Sequence, residues 1–269
     1  MKRTCSRKGF ERGKFTVFVA GIFCLTLAVG CGEKEEGEVA TTTKKSETAA
    51  PVVDVATAAT VTGRVLFSGT PPKMQLVDRS SEGTCHDEAS PLYTENVLVN
   101  DNGTLRNVFV YVKDGLGDMT FPPPSEPVVL DQVGCSYKPH IFGIQAKQPL
   151  KIKNSDGGVL HNIHTISKRG NGFNFGMPKV METTKKFKRP ETMVRIKCDV
   201  HGWMGAYVGV VSHPYYSVTG EDGTFELSPL PPGEYVIETW HEEYGTQTQT
   251  VTVTEKETKE ITFTFKPAS

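Results

Sequence analysis

From residue 60 onward the chain is punctuated too often for helices. The runs "VTGRVLFSG", "NVFVYVKDG", "VVLDQVG", "PLKIKNSDGG", "MVRIKC" and "GAYVGVVS" are short, rich in Val, Ile, Phe and Tyr, and bounded by Gly, Pro, Asn or Asp. Such runs between turn formers read as strands, and many of them at short spacing specify an antiparallel sandwich or barrel. Apolar residues at helical spacing are nearly absent, so the expected class is all-β. From residue 213 the pattern repeats in smaller form. "GTFELSPL", "GEYVIETW", "TQTVTVTE" and "KEITFTFK" alternate apolar and polar positions, with "EDG" and "PPGE" as turns. That tail, about 55 residues long, is just large enough for a small sandwich of its own.

The first thirty residues are of another kind. "MKRTCSRKGFERGK" is basic, and "FTVFVAGIFCLTLAVG" is an apolar run too short for a comfortable membrane span. It ends in "LAVGC", which resembles the lipobox of bacterial lipoprotein signal peptides. The resemblance implies lipidation at Cys31 and a chain exported to the cell envelope, on the periplasmic side of a membrane or at the cell surface. An ordinary cleaved signal and an uncleaved anchor are the alternatives, and all three export the chain. Residues 31–59 follow without an aromatic and rich in Glu, Thr, Ala and Lys. A segment that cannot bury enough apolar surface to order itself reads as a disordered tether. Six basic residues and one acidic residue lie in positions 1–30, so of 30 Lys and Arg and 31 Asp and Glu the remainder keeps 24 against 30. That mildly acidic balance argues against nucleic acid as a partner.

Cysteine usage narrows the reading further. With Cys5 and Cys24 in the signal and Cys31 lipidated, Cys85, Cys135 and Cys198 remain. An odd number in an exported chain leaves one thiol with its own task. Cys85 and Cys135 are the default disulfide in an oxidising compartment, the competitor being a second metal site using the adjacent Cys85 and His86. Cys198 is the leftover thiol, and it opens "CDVHGWM", which sets Cys198, His201 and Met204 within seven positions. Two imidazoles and a thiolate in a plane with a weak axial thioether make a blue-copper site. The second imidazole has to come from another strand, because one tight loop cannot surround an ion. Upstream, "PLKIKNSDGGVLHNIHTIS" offers His161 after a strand and a turn.

"YKPHIFGIQAKQPLKIKNSDGGVLHNIH" followed by "CDVHGWM" resembles the cupredoxins, especially the plastocyanin, amicyanin and pseudoazurin group. The resemblance spans about residues 125–212. It implies a Greek-key β-sandwich with one mononuclear type 1 copper held by His161, Cys198, His201 and Met204, and Asn162 tying the two ligand loops together. Three features depart from it: "AKQ" stands where a glycine is usual, the stretch between His161 and Cys198 is long and basic, and residues 60–124 form an extension that small cupredoxins lack. That extension is expected to add strands to the cupredoxin sandwich. His164 is the rival to His161, but three positions along a strand it faces the opposite side. His86, His140, His213 and His241 read as structural or surface histidines. Met177, Met181 and Met193 read as core fillers. Trp203 is either a core residue or part of an apolar patch through which electrons pass.

The tail, through "DGTFEL", "LPPGEYVIE" and "WHEEYG", resembles the carboxypeptidase regulatory-like domains, which implies a small prealbumin-like sandwich over residues 213–269 without catalysis. Sugar binding would rest on fold analogy alone. The expected order is therefore a signal peptide (1–30), a tether (31–59), an N-terminal β extension (60–124), a cupredoxin core (125–212) and the C-terminal sandwich. The expected function is one-electron transfer by a membrane-tethered copper protein, not catalysis, with a redox protein, such as an acidic cytochrome, as partner. A non-redox copper-delivery module and a structural or carbohydrate-binding envelope lipoprotein are the alternatives.

Overall fold

The computed structural model describes residues 53–85 and 87–267. The expected signal peptide with Cys31, most of the tether, and His86 lie outside the described residues. Among those described there is no helix, and so none long and apolar enough to cross a membrane.

The strands run β1 (Ala59–Phe67), β2 (Phe109–Asp114), β3 (Val128–Gln132), β4 (Tyr137–Lys138), β5 (Ile141–Gln145) and β6 (Leu150–Asn154). They continue as β7 (His161–Ile166), β8 (Asn174–Met177), β9 (Met181–Lys185), β10 (Glu191–Lys197) and β11 (Gly205–Val211). The last five are β12 (Tyr216–Val218), β13 (Thr224–Leu230), β14 (Gly233–His241), β15 (Gly245–Val253) and β16 (Thr258–Phe265).

Residues 128–211 form the first β-sandwich. One sheet has the order β5-β11-β10-β7-β8, the other β4-β3-β6-β9. Their inner faces meet in a core that includes Leu130, Ile144, Ile152, Ile163, Phe187 and Ile196. Strand β6 shows how the sequence dictates this. "LKIKN" buries Leu150, Ile152 and Asn154 and turns its two lysines outward, the period-two pattern of a half-buried strand. The basic stretch between His161 and Cys198 is not an open loop, for it supplies β8 and β9, one to each sheet.

The second sandwich departs from expectation. Its sheets are β13-β1-β16 and β12-β2-β14-β15, so the strands of the N-terminal extension lie at the centre of the C-terminal sandwich. β1 runs parallel to β16 and antiparallel to β13, and β2 lies between β12 and β14. The expectation that residues 60–124 extend the cupredoxin sandwich is therefore corrected, and so is the idea that the tail folds alone. The physical reason is burial. Val61 and Val65 on β1 and Val110 and Val112 on β2 are fully enclosed against Phe225, Ile237 and Phe263, an apolar surface the tail by itself would leave wet.

The two sandwiches are joined by an aromatic layer of Phe109, Tyr111, Tyr207, Tyr216 and Trp240. Gly143 and Gly209 lie beneath it. A Cβ on Gly209 would sit 2.3 Å from the Phe109 ring, and one on Gly143 would sit 2.3 Å from the Tyr216 ring. Only glycine lets the sheet approach that closely.

Candidate metal centre

The centre lies at one end of the sheet, where β10 turns into β11. Residues 198–204 make that turn, and it is closed on itself. The Cys198 N–H donates to the Met204 carbonyl (3.2 Å) and the Met204 N–H to the His201 carbonyl (3.0 Å). The His201 N–H points at the Cys198 sulfur (3.4 Å). Strand β7 runs antiparallel to β10 with Lys197 opposite His164, a register that carries His161 alongside the turn.

His161, Cys198 and His201 are brought together, their ligand atoms all within 4.8 Å of one another. Their exposures are 0 %, 3 % and 2 %, so the group is sealed from solvent. The two imidazoles face each other through Nδ1, 3.0 Å apart, and the Cys198 sulfur is 3.8 Å from His201 Nδ1. Bonds of about 2.0–2.3 Å to one ion would separate nitrogen and sulfur ligands by about 3.3–3.8 Å; the sulfur–nitrogen spacing meets this, and the two imidazoles would part by a few tenths of an ångström to admit a single ion. Met204 is buried in the core beside the cluster's Cys198.

The outer nitrogens are engaged as well. His161 Nε2 lies 2.8 Å from an Asp156 carboxylate oxygen. A carboxylate only accepts, so Nε2 carries the hydrogen and Nδ1 turns its lone pair inward. A carboxylate–histidine pair of this kind is how proteins orient metal-binding imidazoles. Asp156 is itself fixed by the N–H groups of Gly134 (2.7 Å) and Cys135 (2.9 Å). Read from sequence, Asp156 is only a turn former. The cue that marks it is an acidic residue five positions before a candidate ligand histidine.

Asn162 ties the two ligand segments together. Its side-chain oxygen accepts from the Asp199 N–H (3.0 Å), and its amide donates to Asn174 and to the Phe175 carbonyl. His164 stays outside the cluster, its ring half-exposed and paired with Asp199 at 3.0 Å. Trp203 is half-buried. Its ring lies 5.0 Å from that of His201 and its Nε1–H donates to the Cys135 carbonyl at 3.0 Å, so it packs under the disulfide rather than standing free at the surface.

The electrostatics couple the cluster. Burial, the largest influence on Cys198, works against its thiolate. The His161 side chain and the backbone N–H groups of His201, Val200 and Asn162 outweigh it and bring the thiol below its ordinary range. Burial likewise opposes the charged form of His161, but Cys198 and Asp156 hold its pKa up. His201 is pushed down by burial and by its neighbour His161. The three groups thus favour a sulfur anion in a dry site, with His161 the more basic of the two imidazoles.

Cys85 and Cys135 are joined in a disulfide, 50 residues apart in sequence, and Cys198 is the free cysteine among the described residues. The bridge lies against the outer side of His201, whose Nε2 is 3.8 Å from Cys85 Sγ and 3.8 Å from the Glu82 carboxylate. Of the histidines read as structural, His213 and His241 are buried. His140 bridges the two sandwiches, one nitrogen 3.0 Å from the Gly205 carbonyl and the other 2.5 Å from the Glu242 carboxylate.

Residues 203–266 match the carboxypeptidase regulatory-like domain family. The match begins inside the turn at residues 198–204, whereas the C-terminal strands of the second sandwich begin only after β11. Among solved structures, a copper-containing nitrite reductase from Thermus scotoductus SA-01 aligns at 20 % identity and a TM-score of 0.31, over 36 % of this chain and 24 % of that one. An oxidised amicyanin variant aligns at 16 % and 0.28, over 44 % and 93 %. A purple cupredoxin from Nitrosopumilus maritimus aligns at 20 % and 0.27, over 31 % and 98 %. The chain thus spans about a quarter of the nitrite reductase it matches. No curated protein matches it.

Proposed function

We propose that this chain is an exported, membrane-tethered protein that carries one electron at a time on a single type 1 copper held by His161, Cys198, His201 and Met204, and that it is not an enzyme. The observation that carries the reading is the sealed cluster in which two imidazole Nδ1 atoms and one thiol converge. A soft thiolate with imidazoles and a thioether selects copper over harder cations. Copper, when bound, would supply the one-electron change. The residues do the rest. Asp156 fixes the tautomer of His161, Asn162 holds the Cys198 turn against β7, and the N–H groups of His201 and Asn162 stabilise the sulfur anion. A constrained cluster rearranges little between oxidation states, which suits a carrier. No side chain of the group is left open toward a substrate.

Tethering through Cys31 and residence in the cell envelope belong to the same proposal, supported by the "LAVGC" sequence. The partner we propose is an acidic redox protein, met by the basic strands between His161 and Cys198. The deciding measurement is the absorption spectrum of the purified chain with Cu(II). An intense visible band from thiolate-to-copper charge transfer is expected. It should disappear in Cys198→Ser, shift in Met204→Gln and persist in His164→Ala. A colourless chain that takes zinc in preference to copper would overturn the reading.

A further inference from the structure

The disulfide that pins the segment between β1 and β2 also lies directly against the histidine cluster. Its two sulfurs lie on the outer side of the same two imidazoles that face Cys198 on the inside. Cys85 Sγ is 3.8 Å from His201 Nε2. The Cys135 sulfur, the Asp156 carboxylate and a His161 ring nitrogen all lie within 4.8 Å of one another. A tetrahedral site with bonds of about 2.0–2.3 Å spaces its ligands by about 3.3–3.8 Å, so small side-chain movements, with the two sulfurs parting once the bridge opens, would bring this outer cluster to a coordination shell. What it lacks while the bridge is intact is sulfur charge.

We propose that reducing the Cys85–Cys135 bridge creates a second metal site, which holds a zinc-class divalent cation through Cys85, Cys135, Asp156 and the Nε2 edge of His161. In the reducing step the S–S bond takes up two electrons and two protons from a dithiol, which becomes a disulfide. On binding, the cation displaces both thiol protons to solvent, the His161 hydrogen passes from Nε2 to Nδ1 so that Nε2 offers its lone pair, and His161 and Asp156 turn from each other to the ion. Before the cation arrives both cysteines stay neutral thiols; once it is bound, its charge balances the two thiolates and the Asp156 carboxylate in a largely buried place. Access exists. A cleft of about 430 Å³ reaches Cys85, Cys135 and Asp156, with Arg79 and Asp87 along its wall. The inference does not depend on copper occupying the inner cluster.

The test uses the full chain carrying Cys198→Ser, so that the inner cluster offers no thiolate, and Co²⁺ alone as the probe. The oxidised protein should show no sulfur-to-cobalt charge-transfer band. After treatment with a phosphine, which becomes its oxide, one equivalent of Co²⁺ should develop that band together with the visible bands of a tetrahedral ion. Adding Cys85→Ser and Cys135→Ser should abolish both, which separates this site from Cys5, Cys24 and Cys31. Asp156→Asn should weaken Co²⁺ binding at least tenfold. The proposal fails if no band forms on reduction, if the band survives the double substitution, or if it is equally strong in denaturant, where only an unfolded chain could supply the thiolates.

Discussion

Asp156→Asn removes the charge behind His161 and little else, and its cost can be worked from the contacts. The carboxylate accepts three hydrogen bonds, from His161 Nε2 at 2.8 Å, the Gly134 N–H at 2.7 Å and the Cys135 N–H at 2.9 Å. An amide keeps one acceptor oxygen and brings an NH₂ that must face at least one of those N–H donors. If the backbone pair retains the oxygen, His161 loses its partner and can turn its hydrogen inward, onto the nitrogen that should ligate. Losing such a carboxylate typically weakens metal binding about 10–100-fold, or roughly 1.4–2.7 kcal/mol. An unsatisfied buried donor should also cost the metal-free fold about 1–3 kcal/mol. Copper affinity would be read by competition with a chelator of known affinity, and stability by urea unfolding of the copper-free protein. Asp131→Asn, which touches Lys153 and Ser155 but no ligand, should leave affinity within twofold. Should Asp156→Asn bind copper within threefold of the parent, His161 is oriented by something else and Asp156 is only a turn residue.

Gly209→Ala should destabilise the protein by about 1–3 kcal/mol or prevent its folding, because its methyl would enter the Phe109 ring and the sheet cannot yield there; a urea midpoint unchanged from the parent would contradict this. Burial lowers His213 to about 4, and burial with the nearby charge of His140 lowers His241 to about 4. Both then bind protons more weakly folded than unfolded, so their full contribution holds above about pH 6.5 and drains as pH falls toward 4, by roughly 2 kcal/mol each at pH 5. Urea midpoints between pH 7.5 and 5 should show the loss, and His213→Gln should flatten the slope. His140 has the opposite sign: burial opposes its charge but Glu242 raises its pKa, so its contribution is complete below about 6.5 and fades as pH rises. Finally, Lys185, Lys186 and Lys188 changed together to Glu should slow electron exchange with an acidic carrier at low salt while the copper spectrum stays the same, and raising the salt to about 0.1 M or more should slow the parent too. Equal rates for parent and triple variant at low salt would place docking elsewhere.

Strands were legible wherever period two and turn residues agreed, as in "LKIKN" or "KEITFTFK". So were the residues that converge at the inner cluster, because Cys198 and His201 share one turn and the register of a strand decides between His161 and His164. What the sequence could not reveal was partnership between distant strands. β1 and β2 carry the same alternation wherever they pair, and nothing local in "VTGRVLFSG" says that its neighbours are β13 and β16 rather than the next strands along. Asp156 was hidden for the opposite reason. Its role is local, but an Asp in "NSDGG" is already accounted for by turn chemistry.

The displaced strands also explain why the centre is closed. Residues 68–108 run from β1 to β2, so both ends of that segment are fixed in the second sandwich. Its middle, at Cys85, is bonded to Cys135 of the first, and Glu82 stands near His201. A bridge closing a 50-residue loop removes about 4 kcal/mol of unfolded-chain entropy. The cap over His201 is thus held at three points, two of them supplied by a domain that contributes no ligand. Asn96 near the end of the cap donates to Glu243 at 2.8 Å, and His140 meets Glu242 in the same β14–β15 turn. The second sandwich therefore serves the first as a clamp. The dryness of the two imidazoles depends on strands that pack some distance from them.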